Sequence, residues 1–187
     1  MVNENKSIVA IFGGSFDPPH LGHQEIVNSV LKNLEIDILL VVPAYLSPFK
    51  SSSLASATQR LKWCHTLFDD VDKVIVDDYE IAEGKSTPTS QSVKHFNRVY
   101  HVKYLIIGSD NLHTLTKWHH FQWLNNHIIW VIVSRDGHPV ETSELREYRV
   151  ITLDISISSS HIRVSKDLHY IDNKIKQSVQ NVLKGNL

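Results

Sequence analysis

The sequence has a single cysteine, Cys64, among its 187 residues, and this scarcity already narrows the setting of the protein. One thiol cannot form an intrachain disulfide, which favours a reducing compartment, and we interpret Cys64 as a core residue. Long apolar runs are absent as well, since no stretch approaches the ~18 residues that a membrane span needs. The first residues also lack the apolar segment of a signal peptide. These absences predict a soluble, cytoplasmic protein with no membrane partner.

Charge of one sign is also lacking, because the formal net charge is only −1 at pH 7. A chain so balanced offers no broad basic surface for nucleic acid or for an anionic membrane, so any anion has to be held by local groups. Most of the twelve histidines are scattered without the ligand spacing of a zinc site. A protein built for metal binding is therefore the weakest hypothesis.

Strand and helix patterns alternate along the whole chain. Short apolar runs predict strands over 7–12, 36–42, 73–76, 104–107, 128–133 and 148–153. Apolar residues at helical spacing predict helices that include 27–34, 61–68, 93–100 and 171–182. We find no repeat, low-complexity tract or linker. The pattern predicts one α/β domain over 1–187, a doubly wound Rossmann-like fold with a mainly parallel sheet and ligands beyond the carboxyl ends of the strands.

Residues 13–23, G-G-S-F-D-P-P-H-L-G-H, follow the first predicted strand directly. A glycine turn between a strand and a helix can aim backbone amides at a phosphate. We expect Asp17 to cap a helix whose first residues are the two prolines. His20 and His23 would then project from one face of the first turn and donate to phosphate oxygens. The alternative, a tight turn with two surface histidines, is what a Gly-Gly pair by itself would favour.

A second motif lies near the end of the chain, at 157–163, with the sequence I-S-S-S-H-I-R. Its serines are favourable N-cap residues, so the segment predicts a helix start with open amides and hydroxyls. Arg163 adds a fixed charge with a fork of donors that suits phosphate. Taken alone, the segment fits a serine-capped helix with a solvated arginine. Paired with the first motif, it predicts a second clamp on a triphosphate.

The two motifs together resemble those of the nucleotidyltransferases related to class I aminoacyl-tRNA synthetases. In that family the H-x-G-H element holds the phosphates of ATP while AMP or CMP is transferred. The resemblance implies that His20, His23 and Arg163 are the catalytic residues, acting by binding and by transition-state stabilisation, with Mg²⁺ as counter-charge on pyrophosphate. The implied ATP-binding residues are Gly13, Gly14, Ser15, Phe16, His20, His23, Gly108, Asp110, Ser158, Ser159, Ser160 and Arg163.

The middle of the chain resembles one branch of that family. The segment 106–110, I-I-G-S-D, followed by Trp118 and Leu124, is similar to a region of bacterial nicotinate-nucleotide adenylyltransferases in which the tryptophan stacks on the pyridine ring. An indole face suits such a flat, electron-poor ring, and Asp110 could accept a ribose hydroxyl. We interpret Trp123 and Trp130 as core residues.

Three further segments match this branch in part. Residues 43–50, P-A-Y-L-S-P-F-K, resemble its proline loop ending in P-H-K, with Phe49 in place of the histidine. Residues 87–93 keep the hydroxyl positions of S-Y-T-x-x-T-L but have proline instead of tyrosine, and 135–137 read R-D-G where R-P-G is usual. The resemblance leaves the roles of Phe49 and Arg135 open. The implied substrate-binding residues are Lys50, Thr87, Thr89, Trp118 and Asp110.

The leading hypothesis is an enzyme that transfers AMP from ATP to nicotinate mononucleotide and releases pyrophosphate. The acid form of the mononucleotide is inferred from the resemblance alone. An adenylyltransferase for nicotinamide mononucleotide or another phosphate acceptor is the nearest alternative, and a nucleotide-binding regulator without turnover is a second. The three donors His20, His23 and Arg163 favour an enzyme, because a sensor has no need for transition-state stabilisation. The sequence does not indicate an oligomeric state.

Overall fold

The computed structural model describes residues 6–48, 50–135, 140–153 and 157–185, so Phe49 and the pair Asp136–Gly137 lie outside the described residues. The strands are β1 (Ile8–Gly14), β2 (Ile38–Pro43), β3 (Val74–Val76), β4 (His101–Gly108), β5 (Ile129–Arg135) and β6 (Tyr148–Leu153). The helices are α1 (Leu21–Asn33), α2 (Ala57–Phe68), α3 (Tyr79–Ala82), α4 (Thr89–Phe96), α5 (Phe121–His127), α6 (Ser159–Ser165) and α7 (Asn173–Leu183), with a 3₁₀ helix at Ser109–Lys117.

The six strands form one parallel sheet in the order β3-β2-β1-β4-β5-β6. The prediction of a doubly wound α/β fold is therefore confirmed. The strand order reverses between β1 and β4, which pair directly and end at Gly14 and Gly108. In such sheets ligands bind beyond the carboxyl ends of the strands at the point of reversal. The first predicted motif begins at that point.

The sheet is buried on both faces, which explains its continuous apolar runs. In β1, Ala10 and Phe12 face one side and belong to a cluster that includes α1, α2 and α7. Val9 and Ile11 face the other side and pack with α4 and α5. None of the four is more than 6% exposed. Helices therefore cover both faces, and the carboxyl ends of the strands are left open for the site.

Two details of the core confirm or correct the sequence interpretation. Cys64 is fully buried, as expected, and burial raises the pKa of its thiol. Trp130 is also buried, but Trp123 is only half-buried. Its ring stacks on His127 at 4.4 Å between centroids, and the Lys94 ammonium lies 4.8 Å from the ring centroid. Trp123 therefore packs against the edge of the core, where a cation covers it.

Helix α4 is shorter than the sequence predicts, since it ends at Phe96 and does not reach Tyr100. The side-chain oxygen of Asn97, the next residue, accepts a hydrogen bond from Val102 N–H at 2.9 Å. This contact turns the chain into β4, and Tyr100 packs against the core from the connecting turn. None of the helices in the described ranges is long and apolar enough to cross a membrane.

Candidate active site

The turn after β1 carries the first motif, and α1 begins later than the sequence predicts. The helix starts at Leu21 with His20 as its extended N-cap residue, so the expectation that Asp17 caps it is wrong. The Asp17 carboxylate accepts instead from the backbone N–H groups of Leu54 and Ala55, at 2.8 and 2.9 Å. Because these amides occupy its oxygens, the carboxylate ties the turn to the loop before α2.

The two motif histidines lie against each other at the start of α1. Their ring centroids are 3.9 Å apart, and His20 is only 5% exposed whereas His23 is half-buried. The backbone N–H of His20 donates to Nδ1 of His23 at 3.1 Å. A neutral His23 ring that accepts at Nδ1 carries its proton on Nε2. The capping contact therefore fixes the orientation of the His23 ring at the start of α1.

Phe16 packs against His23 from the side of the core. Its side chain is 1% exposed, its ring lies 5.3 Å from Phe12 in an edge-on arrangement, and His23 lies 4.9 Å away. Its backbone takes the left-handed conformation, with φ of 47°. The ring of Phe16 thus packs in the core beneath the turn, and its side chain does not reach the surface.

The second motif begins a helix, as its serines predict. Ser158 is the N-cap residue of α6, and its hydroxyl accepts from the backbone N–H of His161 at 3.1 Å. This is the capping contact expected of serine. Ser159 and Ser160 form the first residues of the helix.

Side chains of α6 contact the first motif directly, although about 140 residues separate the two segments. The Ser159 hydroxyl donates to the carbonyl of Pro18 at 2.9 Å. Arg163 donates through Nη1 to the carbonyl of Asp17 at 2.6 Å and through Nη2 to the Ser160 hydroxyl at 2.9 Å. The same guanidinium lies 3.9 Å from the Asp17 carboxylate. The structure therefore brings the two motifs together at the carboxyl end of β1.

Lys50 adds a further cation to this cluster. Its ammonium donates to the Ser15 hydroxyl at 3.0 Å. Partial burial and the charge of Arg163 lower the pKa of Lys50, while the carboxylates of Asp17 and Asp110 act in the opposite direction. A lysine whose charge is disfavoured by a neighbouring arginine is well placed to receive an anion between them. Lys50 belongs to the loop after β2, and its ammonium contacts the turn after β1. The Asp110 carboxylate is close enough to raise the pKa of Lys50.

Arg60 is a site residue that the sequence interpretation missed. Its guanidinium is 1% exposed and donates to the carbonyls of Ser15, Ala44 and Tyr45 at 2.6, 2.7 and 2.6 Å. A fourth contact reaches Ala55 at 3.3 Å. The fork of Arg60 thus joins the glycine turn to the loop that follows β2.

A signal for Arg60 is present in the sequence. It stands four residues before Cys64 and eight before Phe68, at the spacing of the buried face of α2. All three side chains are buried. A charge on the apolar stripe of a helix is almost never buried unless it is paired, so the position could have been marked as a buried hydrogen-bonding centre.

Gly22, within H-x-G-H, is a second residue that the sequence interpretation missed. A Cβ at this position would lie 3.0 Å from the His20 imidazole and 3.2 Å from the side chain of Ile157. Glycine therefore lets the segment that opens the second motif approach α1 closely. The close approach explains why the position directly before His23 is glycine.

We expect Gly22→Ala to lower kcat by about tenfold to a hundredfold, because the added methyl group displaces His20 or the start of the second motif. Steady-state kinetics measure kcat, and a thermal melt measures the stability of each variant. Asn28→Ala, an exposed change in the same helix, serves as the control and should leave kcat unchanged. A Gly22→Ala enzyme with wild-type kcat would show that the close approach is unimportant for turnover.

The carboxyl end of β4 presents Gly108 and, two residues later, Asp110. A Cβ at Gly108 would overlap the Asp110 carboxylate, so glycine is required for that side chain to fold back over the strand end. Trp118 follows the 3₁₀ helix and is half-buried, with its ring 6.3 Å from that of Trp130. Its indole N–H is enclosed and has no acceptor among the described residues. Trp118 thus retains an exposed portion and an available donor.

The predicted threonines differ in their surroundings. Thr87 is 3% exposed, and its hydroxyl donates to a carbonyl of its own loop at 3.3 Å. Thr89 is half-buried and is the first residue of α4. Its neighbour Ser90 has its hydroxyl 3.1 Å from Nδ1 of His119, the residue after Trp118. The structure therefore places the start of α4 beside the loop that carries the tryptophan.

A doubly wound parallel sheet with an H-x-G-H turn at its point of reversal is typical of nucleotidyltransferases, and a family model described as cytidylyltransferase-like matches residues 11–165. Two relatives named as probable nicotinate-nucleotide adenylyltransferases are similar over nearly their whole length. That of Sulfurovum sp. is 64% identical, covering 98% of each chain, and that of Nitratiruptor sp. is 40% identical, covering 91% of this chain and 96% of the relative. The chain belongs to the nicotinate-nucleotide adenylyltransferases of the cytidylyltransferase-like family.

A solved structure is similar in fold. It is a Plasmodium falciparum nicotinic acid mononucleotide adenylyltransferase complexed with NaAD, and it superposes with a TM-score of 0.73. The two sequences are 24% identical, and the match covers 96% of each chain. This likeness supports the Rossmann-like fold described above.

Proposed function

We propose that this protein transfers AMP from ATP to nicotinate mononucleotide, giving nicotinate adenine dinucleotide and pyrophosphate in NAD biosynthesis. The observation that carries the proposal is the contact between the two motifs, in which Arg163 donates to the turn that ends with His20 and His23. Those three side chains supply donors of the type that a triphosphate requires. The match of the family model to 11–165 further supports one nucleotidyltransferase domain over 1–187.

The chemistry needs positioning more than proton transfer. The attacking group is the phosphate of the mononucleotide, which is already ionised near neutral pH, so no general base is required. Its oxygen forms a bond to the α-phosphorus of ATP while the bond to pyrophosphate breaks. His20, His23 and Arg163 stabilise the charge that develops on the equatorial and leaving oxygens. Their fixed positions at the turn reduce the reorganisation needed in the transition state.

ATP lies over the glycine turn in this proposal. Its phosphates approach the backbone of 13–16 and the hydroxyls of 158–160, and its ribose approaches Asp110 beyond Gly108. Gly108 has no side chain, so the Asp110 carboxylate folds back over the strand end, where it can accept from the ribose. This arrangement uses the carboxyl ends of β1 and β4, where the fold leaves an open edge.

The mononucleotide occupies the neighbouring region. Lys50, whose ammonium contacts the turn from the loop after β2, binds its phosphate, and Trp118 stacks on the pyridine ring. Thr87 and Thr89 lie at the loop and helix start next to that ring, and Asp110 also faces this substrate. The Ser15 contact of Lys50 is exposed and is readily exchanged for a phosphate oxygen.

Mg²⁺ accompanies ATP as part of the substrate complex. Within 6–48, 50–135, 140–153 and 157–185 there is no group of three or more His, Cys, Asp or Glu side chains that could hold a metal ion. We expect the ion to be carried mainly by phosphate oxygens and water, which is the usual coordination of Mg²⁺ with nucleotides. When bound, the ion supplies counter-charge to pyrophosphate.

Pyrophosphate release tests this function. With ATP and Mg²⁺, we expect release with nicotinate mononucleotide at least about tenfold faster than with nicotinamide mononucleotide, because the loss of a recognised polar group is strongly discriminated. The dinucleotide product is identified by mass. Equal rates would show that the protein does not select the acid form. ATP binding without release in either mixture would favour the nucleotide-binding regulator.

A further inference from the structure

Two polar side chains meet beneath the loop that joins α3 to α4, and the mechanism above uses neither. Glu80 is 9% exposed and Ser92 is 1% exposed. The Ser92 hydroxyl donates to Oε1 of Glu80 at 2.6 Å. Carboxyl groups are rarely buried unless they have a partner, so this contact is a specific feature of the loop and its two helices.

Helix α3 is held close to the carboxyl ends of the strands, the side of the sheet to which the proposed function assigns the substrates. The backbone N–H of Asp77 donates to the carbonyl of Val41 in β2 at 2.9 Å. The carboxylate of Asp77 accepts from the backbone N–H of Tyr79, also at 2.9 Å. These contacts join α3 to the carboxyl ends of β2 and β3. Glu80 therefore projects from a fixed position.

Ser92 lies in the first turn of α4, three residues after Thr89. Its hydrogen bond with Glu80 thus connects the two helices on either side of the loop 83–88. A second contact spans the same helices, because the Gln91 side-chain amide donates to the Tyr79 hydroxyl at 3.3 Å. The Tyr79 ring also stacks on His95 of α4, at 3.7 Å between centroids. The Glu80–Ser92 hydrogen bond is therefore one of several side-chain contacts that fix α4 relative to α3.

Stability alone does not account for a glutamate at this place. Burial raises the pKa of Glu80 to about 7, and the hydrogen bond from Ser92 offsets only part of that effect. Ionisation of Glu80 is therefore less favourable than that of an exposed glutamate. Replacing both partners of a buried hydrogen bond by apolar groups of the same shape can be nearly neutral or stabilising. What the pair provides beyond packing is a directed contact between two helices.

We propose that Glu80 and Ser92 are positioning residues for nicotinate mononucleotide. Their hydrogen bond fixes the start of α4, with Thr89, against α3, and the contact of Ser90 with His119 joins the loop of Trp118 to the same helix. Neither residue touches the substrate. The inference depends on the proposed function, because it assigns the loop and the start of α4 to the mononucleotide.

The test compares the KM values of the two substrates in three variants. Ser92→Ala and Glu80→Leu should raise the KM for nicotinate mononucleotide about tenfold while leaving the KM for ATP within about twofold. Glu80→Gln retains an oxygen that accepts from Ser92, so its KM for the mononucleotide should stay close to wild type. A merely structural role would not separate the two KM values.

Ser178→Ala is the matched control. The Ser178 hydroxyl accepts from the indole N–H of buried Trp63 at 3.0 Å, between α2 and α7 on the other face of the sheet. It should lower the melting temperature as Ser92→Ala does but leave both KM values unchanged. If Glu80→Leu does not fold, Ser92→Ala decides the question, because it removes one oxygen only.

Two outcomes would overturn the inference. Ser92→Ala could leave the KM for the mononucleotide unchanged, or it could raise both KM values equally. Wild-type enzyme in the same assay distinguishes these results from failure of the proposed function. If wild type does not use nicotinate mononucleotide, the substrate assignment itself is wrong, and the inference fails with it.

Discussion

Replacing His23 with asparagine is expected to lower kcat by about two to three orders of magnitude, while the melting temperature stays near that of wild type. The side-chain oxygen of asparagine can take the place of Nδ1 and accept from His20 N–H, which in the wild type donates to that atom at 3.1 Å. The donor at Nε2 has no counterpart in asparagine. His23→Asn therefore keeps the contact at the helix start and removes the donor that the proposed function assigns to phosphate.

Two other variants complete this test. His23→Gln places an amide near the position of Nε2 but loses the contact with His20 N–H, so it should retain more turnover and lose about 1 kcal/mol of stability. His23→Ala should lose both. Pyrophosphate release and thermal melts measure the two properties separately. Wild-type turnover in His23→Asn would mean that His23 serves only to cap α1, and the catalytic role would be withdrawn.

The parts of the fold that could be predicted are those governed by local patterns. Residues of β1 alternate between the two buried clusters, and the same holds along β2, so their runs are apolar throughout. Parallel strands covered on both faces produce this pattern, which identified the sheet. The cap of α6 was predicted for the same reason, since Ser158 accepts from an amide three residues away.

The start of α1 could not be predicted because a distant segment competes for its expected cap. Asp17 directly precedes the two prolines, and aspartate is a favoured N-cap residue at such a position. In the structure it binds amides at 54 and 55, which are 37 and 38 residues away. No local pattern reports such a contact. The helix therefore begins at the next position that has its own capping arrangement, His20 with His23.

The same limit applies to the assembly of the site. The sequence shows each phosphate-binding motif separately, and a resemblance is needed to pair them. The structure supplies physical reasons for the pairing, namely the contacts of Arg163 and Ser159 with the turn and the close approach of Ile157 to Gly22. Arg60 is the clearest omission, because motif analysis searches loops and turns, whereas this residue acts from the buried face of a helix.

Arg60→Met is expected to lower the free energy of unfolding by about 3–5 kcal/mol and to reduce turnover strongly. Methionine fills a similar volume, but the carbonyls of Ser15, Ala44 and Tyr45 lose their shared donor. Each buried acceptor left without a partner costs about 1–3 kcal/mol. The nearby carboxylate of Asp17 also loses a favourable positive charge. Chemical denaturation and the KM for each substrate measure the effect.

Arg60→Lys separates the role of the positive charge from that of the planar guanidinium group, and Arg98→Met serves as the control. Lysine restores the charge, yet a single ammonium group cannot reproduce the planar fork that reaches the turn and the loop after β2, so stability and turnover should recover only in part. Arg98 is exposed, and its change to methionine should alter stability by less than about 0.5 kcal/mol. Full recovery in Arg60→Lys would show that charge alone matters. Partial recovery, with KM raised for both substrates, would identify Arg60 as the residue that fixes the turn after β1 and the loop after β2 in one geometry.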